Sequence, residues 1–382
     1  GNYSMGTGVV TGANNVAVGY EALTDCTSGG QNTIIGAYSG QQVTTGNDNA
    51  CLGYHALGAL TTGGQNVAVG RNALDAATTS SNNTSVGYNS LSANTTGTGN
   101  TGIGSEALND NTTASNNTAV GYFALTKNTN GTLNTAVGVN ALRLNVSNSN
   151  NSAFGFGALQ NSNGGANNTA VGYVVLTANT SGDRNTGLGY QALKACTTGN
   201  DNVCIGNNAG NGITTGSENI FIGAGVADGG SFSTGSNNII IGVDSDPSLG
   251  NQTNELKLGN GSTSIFRCNV QSISSLSDER DKTDIIDIPD GLDFINKVRP
   301  VKYKWDRRKP DDTCGLVRAG FIAQELQEAQ KGSEYLDLIY DADPEFLEAK
   351  QGNLLPVMVK AIQELSAKNI ALETRVATLE AA

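Results

Sequence analysis

Several residue types are scarce in this sequence of 382 residues, and each shortage excludes a class of protein. Charged residues make up only 15%, which is too few for a chain kept disordered by charge repulsion. The formal net charge is −12, whereas a nucleic-acid-binding protein needs a basic surface to neutralise phosphates. No run of about 18 apolar residues is present, so we predict no membrane-spanning helix and no membrane insertion.

Residues that bind metals are also scarce. His55 is the only histidine, and the six cysteines include no C-x-x-C pair. We therefore predict no zinc or other metal site, no cofactor and no disulfide framework. Cys51 and Cys204 stand where a repeat usually has Ala or Ser, and we interpret them as small core residues. His55 takes a variable repeat position and is interpreted as an exposed turn residue.

The composition divides the chain near residue 276. Residues 1–276 contain 20 charged residues and 45 glycines, whereas residues 277–382 contain 36 charged residues and 5 glycines. Five of the six prolines and the single tryptophan, Trp305, also lie in the second part. Two different kinds of structure therefore meet at this position. Because Gly1 falls within a worn copy of a repeat, we expect the sequence to be a fragment of a longer chain.

The first part is built from a unit of seventeen residues. Glycine recurs at this interval from Gly19 to Gly223, and an asparagine stands four residues before each of these glycines. An apolar residue directly precedes the glycine, and leucine usually follows it at the fourth position. The unit reads N-[TV]-[small]-[VI]-G-x-x-[AS]-L, followed by a polar turn. A last copy, Asn238–Gly242, ends nineteen residues after Gly223.

Thirteen copies without an insertion predict a parallel β-solenoid, because one unit buries too little apolar surface to fold alone. Each coil would hold one or two short strands, with glycine at the corners. The asparagines would hydrogen-bond to a local turn or form a ladder along the coils. Because the coil is short, we expect a thin core of one or two Val, Ile or Leu side chains. Such a needle would gain stability by oligomerising.

The unit also resembles known repeats. The pattern N-x-A-V-G-x-x-A-L, found at residues 117–125, resembles the head repeats of trimeric adhesins and is similar to repeats in phage tail fibres. The adhesin resemblance implies left-handed parallel β-rolls packed as a trimer, although no rule on the sequence fixes the handedness here. Both groups are surface-binding rods. A glycosidase would need two facing carboxylates, and the few acidic residues of the repeats are scattered. We therefore predict no enzyme in the repeat region.

Three motifs follow in the second part: S-D-x-R-x-K at 277–282, R-P-V-K-Y-x-W at 299–305 and G-F-I-A-Q-E-L at 320–326. Their order and spacing resemble the endosialidase-type intramolecular chaperones, a self-cleaving serine peptidase family. This family occurs at the C-termini of phage tail fibres and tailspikes, and in a eukaryotic membrane-bound transcription factor. The resemblance covers roughly residues 274–380. It implies a catalytic dyad of Ser277 and Lys282, with cleavage between Leu276 and Ser277.

The implied chemistry is consistent with the residues themselves. A serine hydroxyl attacks a carbonyl only when a base removes its proton. A lysine can be that base if burial or a nearby positive charge lowers its pKa. Arg280 could supply the charge or could pair with a neighbouring aspartate. The alternative is that Ser277 caps a short helix, with Asp278 and Glu279 in its first turn.

Other residues of the second part have structural interpretations. Tyr303 and Trp305 are expected to be core residues, and residues 321–326 to form an amphipathic helix on that core. From Leu355 onward, apolar residues alternate at spacings of three and four, which predicts a coiled coil with Asn369 at an a position. The alternative is a helix packed only on its own domain. The predicted seam is Leu355, Met358, Ile362, Leu365, Asn369, Leu372, Val376 and Leu379.

These observations predict a mainly β protein in four parts. They are a repeat β-solenoid at 1–253, a short β connector at 254–276, an α+β chaperone and autopeptidase domain at 277–353, and a trimerising coiled coil at 354–382. We expect a homotrimeric phage tail fibre located in the virion. Its partner would be a receptor on the host surface, either a polysaccharide or an outer-membrane component. The alternatives are a trimeric surface adhesin without cleavage and a polysaccharide-degrading tailspike.

Overall fold

The computed structural model describes residues 4–5, 10–229, 232–247, 251–263, 277–306, 315–341 and 347–381. The chain divides into two compact units, Gly1–Asn260 and Gly261–Ala382. The described part of the first unit is one parallel sheet with its turns, and that of the second contains two small antiparallel sheets and three α-helices. The change in composition near residue 276 is therefore also a change in architecture.

The first unit is a parallel β-solenoid, as the repeat predicts. Fifteen strands of three residues, β1 to β15, lie side by side in the order of the sequence. Each pairs with the next one repeat further on, so that Thr118 lies beside Thr135 and Val120 beside Val137. The strands are Val16–Val18, Thr33–Ile35, Ala50–Leu52, Val67–Val69, Thr84–Val86, Thr101–Ile103, Thr118–Val120, Thr135–Val137, Ser152–Phe154, Thr169–Val171, Thr186–Leu188, Val203–Ile205, Ile220–Ile222, Ile239–Ile241 and Leu256–Leu258.

The core of each coil differs from the expected one. In β7 only the middle residue, Ala119, is buried, while Thr118 and Val120 at the strand ends are partly exposed. Successive side chains of a strand point to opposite faces, so a strand of three residues sends just one side chain inward. The remaining core residues come from the following turn, such as Ala124 and Leu125. The expectation of a Val, Ile or Leu core therefore holds for Leu but is wrong for most Val and Ile residues.

The turn of each coil uses conformations that are rare for L-residues. In the seventh coil Gly121 has φ +137°, Phe123 has φ 56° and Leu125 has φ 53°. A Cβ atom on Gly121 would lie 2.5 Å from the carbonyl oxygen of Gly138 in the next coil, so only glycine fits. The left-handed conformation costs roughly 1–2 kcal/mol at each non-glycine residue. Contacts between coils must therefore offset an intrinsic local cost.

The repeated asparagines form the predicted ladder inside the solenoid. The backbone N–H of Asn117 donates to Oδ1 of Asn100 at 3.0 Å, and Oδ1 of Asn117 accepts the backbone N–H of Asn134 at 3.0 Å. Its amide nitrogen donates to the carbonyl oxygen of Gly131 at 2.8 Å. Each asparagine thus joins two neighbouring coils and closes its own turn. Because Asn117 is fully buried, water cannot replace these partners.

The C-terminal end of the solenoid departs from the repeat. Strand β15 lies within the stretch interpreted as a connector, yet it pairs in parallel with β14 and continues the sheet. The predicted domain boundaries otherwise remain predictions, and residues 264–276 of the predicted connector lie outside the described residues. Near this end the core becomes aromatic, since Phe221 and Phe232 pack edge to face with ring centroids 5.5 Å apart. Both rings are buried.

The surroundings of three cysteines and of the single histidine indicate structural roles. Cys51 and Cys204 are buried in the middle of strands β3 and β12, and burial raises the pKa of both thiols. Burial also raises the pKa of Cys196 to about 11. Buried thiols that stay protonated are poor nucleophiles and poor metal ligands. His55 is partly exposed in a turn and pairs through Nδ1 with the carboxylate of Asp75.

The second unit is a small α+β structure. Its α-helices are α1 (Leu292–Ile295), α2 (Ala323–Ala329) and α3 (Leu355–Glu380). Strand β16 (Val301–Lys304) pairs antiparallel with β17 (Val317–Gly320), and β18 (Ile339–Tyr340) pairs with β19 (Glu348–Ala349). Short 3-10 helices lie at Glu279–Asp281, Glu334–Leu336 and Gln351–Leu354. The core consists of Phe294, Leu326, Leu336, Leu338, Ile339, Leu354 and Val357.

Helix α3 uses one short stretch to contact its own unit. Val357 and Ala361 are buried, and the carboxylate of Glu364 accepts the backbone N–H of Leu292 at 2.8 Å at the start of α1. The apolar residues of the predicted seam are all exposed in the single chain, with Ile362 at 65% and Leu379 at 69%. A face that is apolar and unpaired in this way is typical of a coiled-coil strand. No α-helix among the described residues is both long and apolar enough to cross a membrane.

Candidate active site

The candidate site begins at a single 3-10 turn. Asp278 precedes the helix Glu279–Asp281 as its N-cap, and its carboxylate accepts the backbone N–H of Arg280 at 2.9 Å. Lys282 ends the turn with an extended backbone, and its N–H donates to the carbonyl oxygen of Glu279 at 3.1 Å. The interpretation of Ser277 as the helix cap is therefore wrong. Asp278 is the cap, which leaves the Ser277 hydroxyl free for another contact.

The same turn brings the two predicted site residues together. The Nζ atom of Lys282 donates to Oγ of Ser277 at 2.6 Å and lies 3.4 Å from the Ser277 carbonyl oxygen. A separation of five residues suits a lysine whose side chain folds back over one short turn. A base within hydrogen-bond distance of a hydroxyl is the geometry that nucleophilic catalysis requires. Leu276, on the other side of the predicted cleavage site, lies outside the described residues.

Solvent surrounds the pair in the single chain. Both Ser277 and Lys282 are exposed. Arg280 is held by Asp278: Nε lies 3.0 Å from Oδ1 and Nη2 lies 2.5 Å from Oδ2. The hydrogen bond from Arg280 lowers the pKa of Asp278, and the Asp278 carboxylate raises the pKa of Arg280. Of the two roles open to Arg280, pairing with an aspartate is the one that it takes.

The second and third motifs form one hairpin and its connection to a helix. In β16 and β17, Lys302 lies beside Ala319 and Val301 beside Gly320. Arg299, before β16, forms an ion pair with Glu325 of α2, with Nε 3.0 Å from Oε2. The hydrogen bond from Arg299 lowers the pKa of the Glu325 carboxyl group. This ion pair, which spans 26 residues, was not apparent from the spacing of the motifs.

Two expectations about this hairpin need correction. Tyr303 and Trp305 are only partly buried, and their rings meet edge to face with centroids 5.2 Å apart. The alternation of a two-stranded hairpin leaves one face open, so these rings cover the hairpin rather than fill a core. The expected helix at 321–326 begins at Ala323, because Phe321 and Ile322 continue the chain after β17. Leu326 is buried as an amphipathic helix requires.

Among the residues that the structure describes, no three His, Cys, Asp or Glu side chains are close enough to hold a metal ion. At the end of the hairpin, a shallow open cavity of about 460 Å³ is lined by Lys304, Trp305, Asp306 and Gly315.

A comparison with known protein families gives a match that begins at this site. Residues 277–334 match the family model described as chaperone of endosialidase (Peptidase_S74). The match begins at Ser277 and includes all three motifs. No curated protein and no solved structure matches the chain. The second unit therefore contains a region similar to the chaperone of endosialidase family, and the first residue of that region carries the hydroxyl that contacts Lys282.

Two features of this region were not predicted from the sequence, the cap formed by Asp278 and the ion pair of Arg299 with Glu325. The cap formed by Asp278 could have been inferred from the sequence, because an aspartate before Glu279-Arg280-Asp281 is a common N-terminal signal of a helix. The contact between Arg299 and Glu325 had no such signal. It depends on the tertiary arrangement of the hairpin and helix α2, which no local sequence pattern specifies.

Proposed function

We propose that this chain is a homotrimeric fibre whose C-terminal region templates assembly and then releases itself by cutting between Leu276 and Ser277. The observation that carries the proposal is the contact of Lys282 Nζ with Ser277 Oγ at 2.6 Å. It lies at the first residue of the match to the chaperone of endosialidase family. A peptidase that cuts at its own first residue would separate the solenoid from the chaperone.

A row of apolar side chains supports the trimeric fibre. The residue directly before each repeat glycine points away from the core of its own coil, as Leu52 and Leu188 do with 52% and 44% exposure. None of these residues is charged. The row is Val18, Ile35, Leu52, Val69, Val86, Ile103, Val120, Val137, Phe154, Val171, Leu188, Ile205, Ile222, Ile241 and Leu258.

The length of this row favours further copies of the same chain as its cover. A continuous apolar surface on a soluble protein marks an interaction site. A partner that covers it must present apolar groups at the same period over fifteen strands. A second and a third copy meet that requirement without further assumption. The exposed seam of α3 would join the same three chains at the other end of the sequence.

The cleavage reaction needs only groups of the chain and one water molecule. Lys282, as a neutral amine, would remove the proton of the Ser277 hydroxyl while Oγ attacks the carbonyl carbon of Leu276. The C–N bond then breaks, and Lys282 returns the proton to the departing nitrogen of Ser277. An ester remains between Leu276 and Ser277 Oγ. Water hydrolyses it to a Leu276 carboxylate and a free Ser277 hydroxyl.

Exposure of the dyad suggests when the reaction occurs. Lys282 acts as a base only if its surroundings favour the neutral form, and in the single chain it is exposed. Packing of three chains around the seam of α3 would exclude water from surfaces that are exposed in one chain. Cleavage would then follow assembly and make it difficult to reverse, because the template is lost. The fibre would be trapped kinetically in its folded state.

The setting that fits best is a phage virion, in which the solenoid forms part of a tail fibre or tailspike. The solenoid would contact a receptor on the host surface, and the released chaperone would not remain in the particle. No observation on the solenoid favours an enzyme that degrades polysaccharide. Its ion pairs, such as Lys127 with Asp110 and Arg184 with Asp201, connect successive coils.

A denaturing gel, together with an intact-mass measurement of the purified protein, tests the proposal. Purified wild type should give two fragments, 1–276 and 277–382, whereas Ser277→Ala and Lys282→Ala should each give one chain. Ser333→Ala is the matched control, because it removes a serine of the same unit that does not contact Lys282, and it should be cut like wild type. An uncut wild-type chain, or two fragments from Ser277→Ala, would overturn the assignment of the dyad.

A further inference from the structure

The turn between Ser277 and Lys282 contains a residue whose role the cleavage reaction does not define. Asp278 neither attacks the peptide nor accepts the proton of the hydroxyl. Its carboxylate instead closes the 3-10 turn through the Arg280 backbone N–H at 2.9 Å. We infer that Asp278 is the positioning residue of the dyad: it holds the turn that places Lys282 Nζ against Ser277 Oγ. This inference depends on the proposed self-cleavage.

The geometry of the turn shows why a cap is needed. Two backbone hydrogen bonds close it, from Asp281 to Asp278 at 3.2 Å and from Lys282 to Glu279 at 3.1 Å. All residues of the turn are exposed, so no packing against a core holds it. Isolated helical turns are unstable in water because one or two hydrogen bonds do not offset the ordering of the backbone. The side-chain cap is therefore a large share of what keeps the turn formed.

The contribution of the cap differs from that of the ion pair. Asp278 also binds the Arg280 guanidinium, but the Arg280 side chain is 88% exposed. Ion pairs between exposed side chains contribute little, since water competes for both partners and each side chain loses freedom. The cap bond uses a backbone N–H that would otherwise lack a partner within the turn. We therefore assign the positioning effect to the cap and not to the ion pair.

Substitutions at three neighbouring positions separate these effects. Asp278→Ala removes the cap and should slow cleavage about fivefold, the population loss expected for a missing N-cap. Asp278→Asn keeps an Oδ1 acceptor without the charge, and asparagine caps helices as well as aspartate does. Its cleavage rate should return to within about twofold of wild type. A residue with only a general structural role would not show this rescue.

Two variants of the same turn are the matched controls. Arg280→Ala removes the ion pair but keeps the backbone N–H that the cap uses. Glu279→Ala removes the neighbouring carboxylate, whose side chain makes no cap bond. Both should cleave within about twofold of wild type, because the cap bond is intact.

The measurement is the appearance of the 277–382 fragment over time after synthesis of the full chain by cell-free translation. Assembly of each variant is checked in a Ser277→Ala background, where no cleavage occurs. If Asp278→Ala fails to assemble in the Ser277→Ala background, the test uses Asp278→Asn and Arg280→Ala instead. Both of these variants should cleave within about twofold of wild type. Wild-type rates for Asp278→Ala, or failure of Asp278→Asn to restore cleavage, would overturn the inference. An uncut wild-type chain would instead overturn the proposed function on which it depends.

Discussion

The two units of this chain are stabilised in opposite ways. Among the described residues, non-glycine residues with positive φ are concentrated in the solenoid, and only Asp284 and Asp337 have this conformation in the C-terminal unit. Each solenoid coil therefore has a local conformational cost that only the neighbouring coils can offset. Helix α3 of the other unit, with 26 residues, gains a hydrogen bond for each added residue. A solenoid coil therefore requires neighbouring coils to form, whereas helix α3 can form from local hydrogen bonds.

This difference suggests why the two units occur in one chain. Stacked coils must pair over the whole solenoid, and a coil added in the wrong register buries the same leucines and alanines. Repeats that are nearly identical offer many such errors. A helix forms faster than stacked coils, since its hydrogen bonds join residues close in sequence. In the proposed trimer, a helical unit that follows the solenoid in the sequence would therefore fix the alignment of three chains before the first coils form.

The largest expected effect breaks the stacking of coils at one glycine. In Gly121→Ala the new Cβ would lie 2.5 Å from the backbone oxygen of Gly138, and φ stays at +137°. We expect a loss of about 3–5 kcal/mol from the solenoid, since neither backbone can move without disturbing a ladder. Gly332→Ala is the control in the other unit: its φ is +83° but nothing lies within 4 Å. It should cost about 1 kcal/mol. Thermal unfolding of both variants measures the difference, and equal losses would contradict it.

A slightly smaller effect is expected from the asparagine ladder. Asn117→Ala removes the side-chain hydrogen bonds of Asn117 with Asn100, Gly131 and Asn134, and it leaves the buried backbone N–H of Asn134 without a partner. The expected loss is about 3–4 kcal/mol, at roughly 1 kcal/mol for each bond plus the cost of buried unpaired groups. Asn130→Ala changes an exposed asparagine of the same coil and should stay within about 0.5 kcal/mol. Denaturant unfolding gives both values. A small loss for Asn117→Ala would show that water reaches the ladder.

A third substitution tests whether the outer row of the solenoid is covered. Leu188 is 44% exposed in one chain and lies in the row proposed as the trimer interface. Leu188→Asp should weaken the trimer by about 3 kcal/mol, because an interface buries the new charge without a partner. Thr198→Asp puts the same charge on an exposed residue of the same coil and should leave the trimer intact. Native mass spectrometry reports the trimer. Equal trimer content in both variants would place the interface elsewhere.

The smallest expected effect is a difference in acid sensitivity. The Arg299 hydrogen bond lowers the folded-state pKa of Glu325, so this stabilisation is present above the unfolded-state pKa near 4.3. It is lost as the pH falls through the lower, folded-state pKa. Glu325→Gln should remove that part of the acid dependence of the second unit. Circular dichroism at decreasing pH follows it through the helical signal. An unchanged acid transition in the variant would show that the ion pair does not contribute.

The sequence predicted the solenoid because glycine and asparagine recur in one register, and a constant period allows few other folds. The direction of the strand residues was harder to predict. Val120 is as apolar as a core residue, and only the length of the strand shows that Ala119 is the residue pointing inward. The left-handed conformation of Leu125 could not be inferred, since leucine rarely adopts it without contacts from other coils.

The candidate site was predicted unevenly for similar reasons. Ser277 and Lys282 were identified through a family resemblance, and the structure places them in contact. A five-residue separation alone would have suited many turns. The cap by Asp278 is a local feature, and local features can be predicted from sequence. The pairing of Arg299 with Glu325 depends on tertiary structure, so it became apparent only with the hairpin in place.

Refolding tests the central claim, that the C-terminal region carries the information for assembly of the solenoid. Two proteins are compared: the wild type after cleavage, and Ser277→Ala, which keeps the template attached. Each is unfolded in guanidinium chloride and diluted separately under the same conditions. We predict that Ser277→Ala recovers trimeric solenoid with high yield, whereas the cleaved chain aggregates or stays unfolded. Native mass spectrometry and circular dichroism measure the recovered trimer. Equal recovery of trimer by both chains would contradict the claim, since the solenoid would then assemble without an attached template.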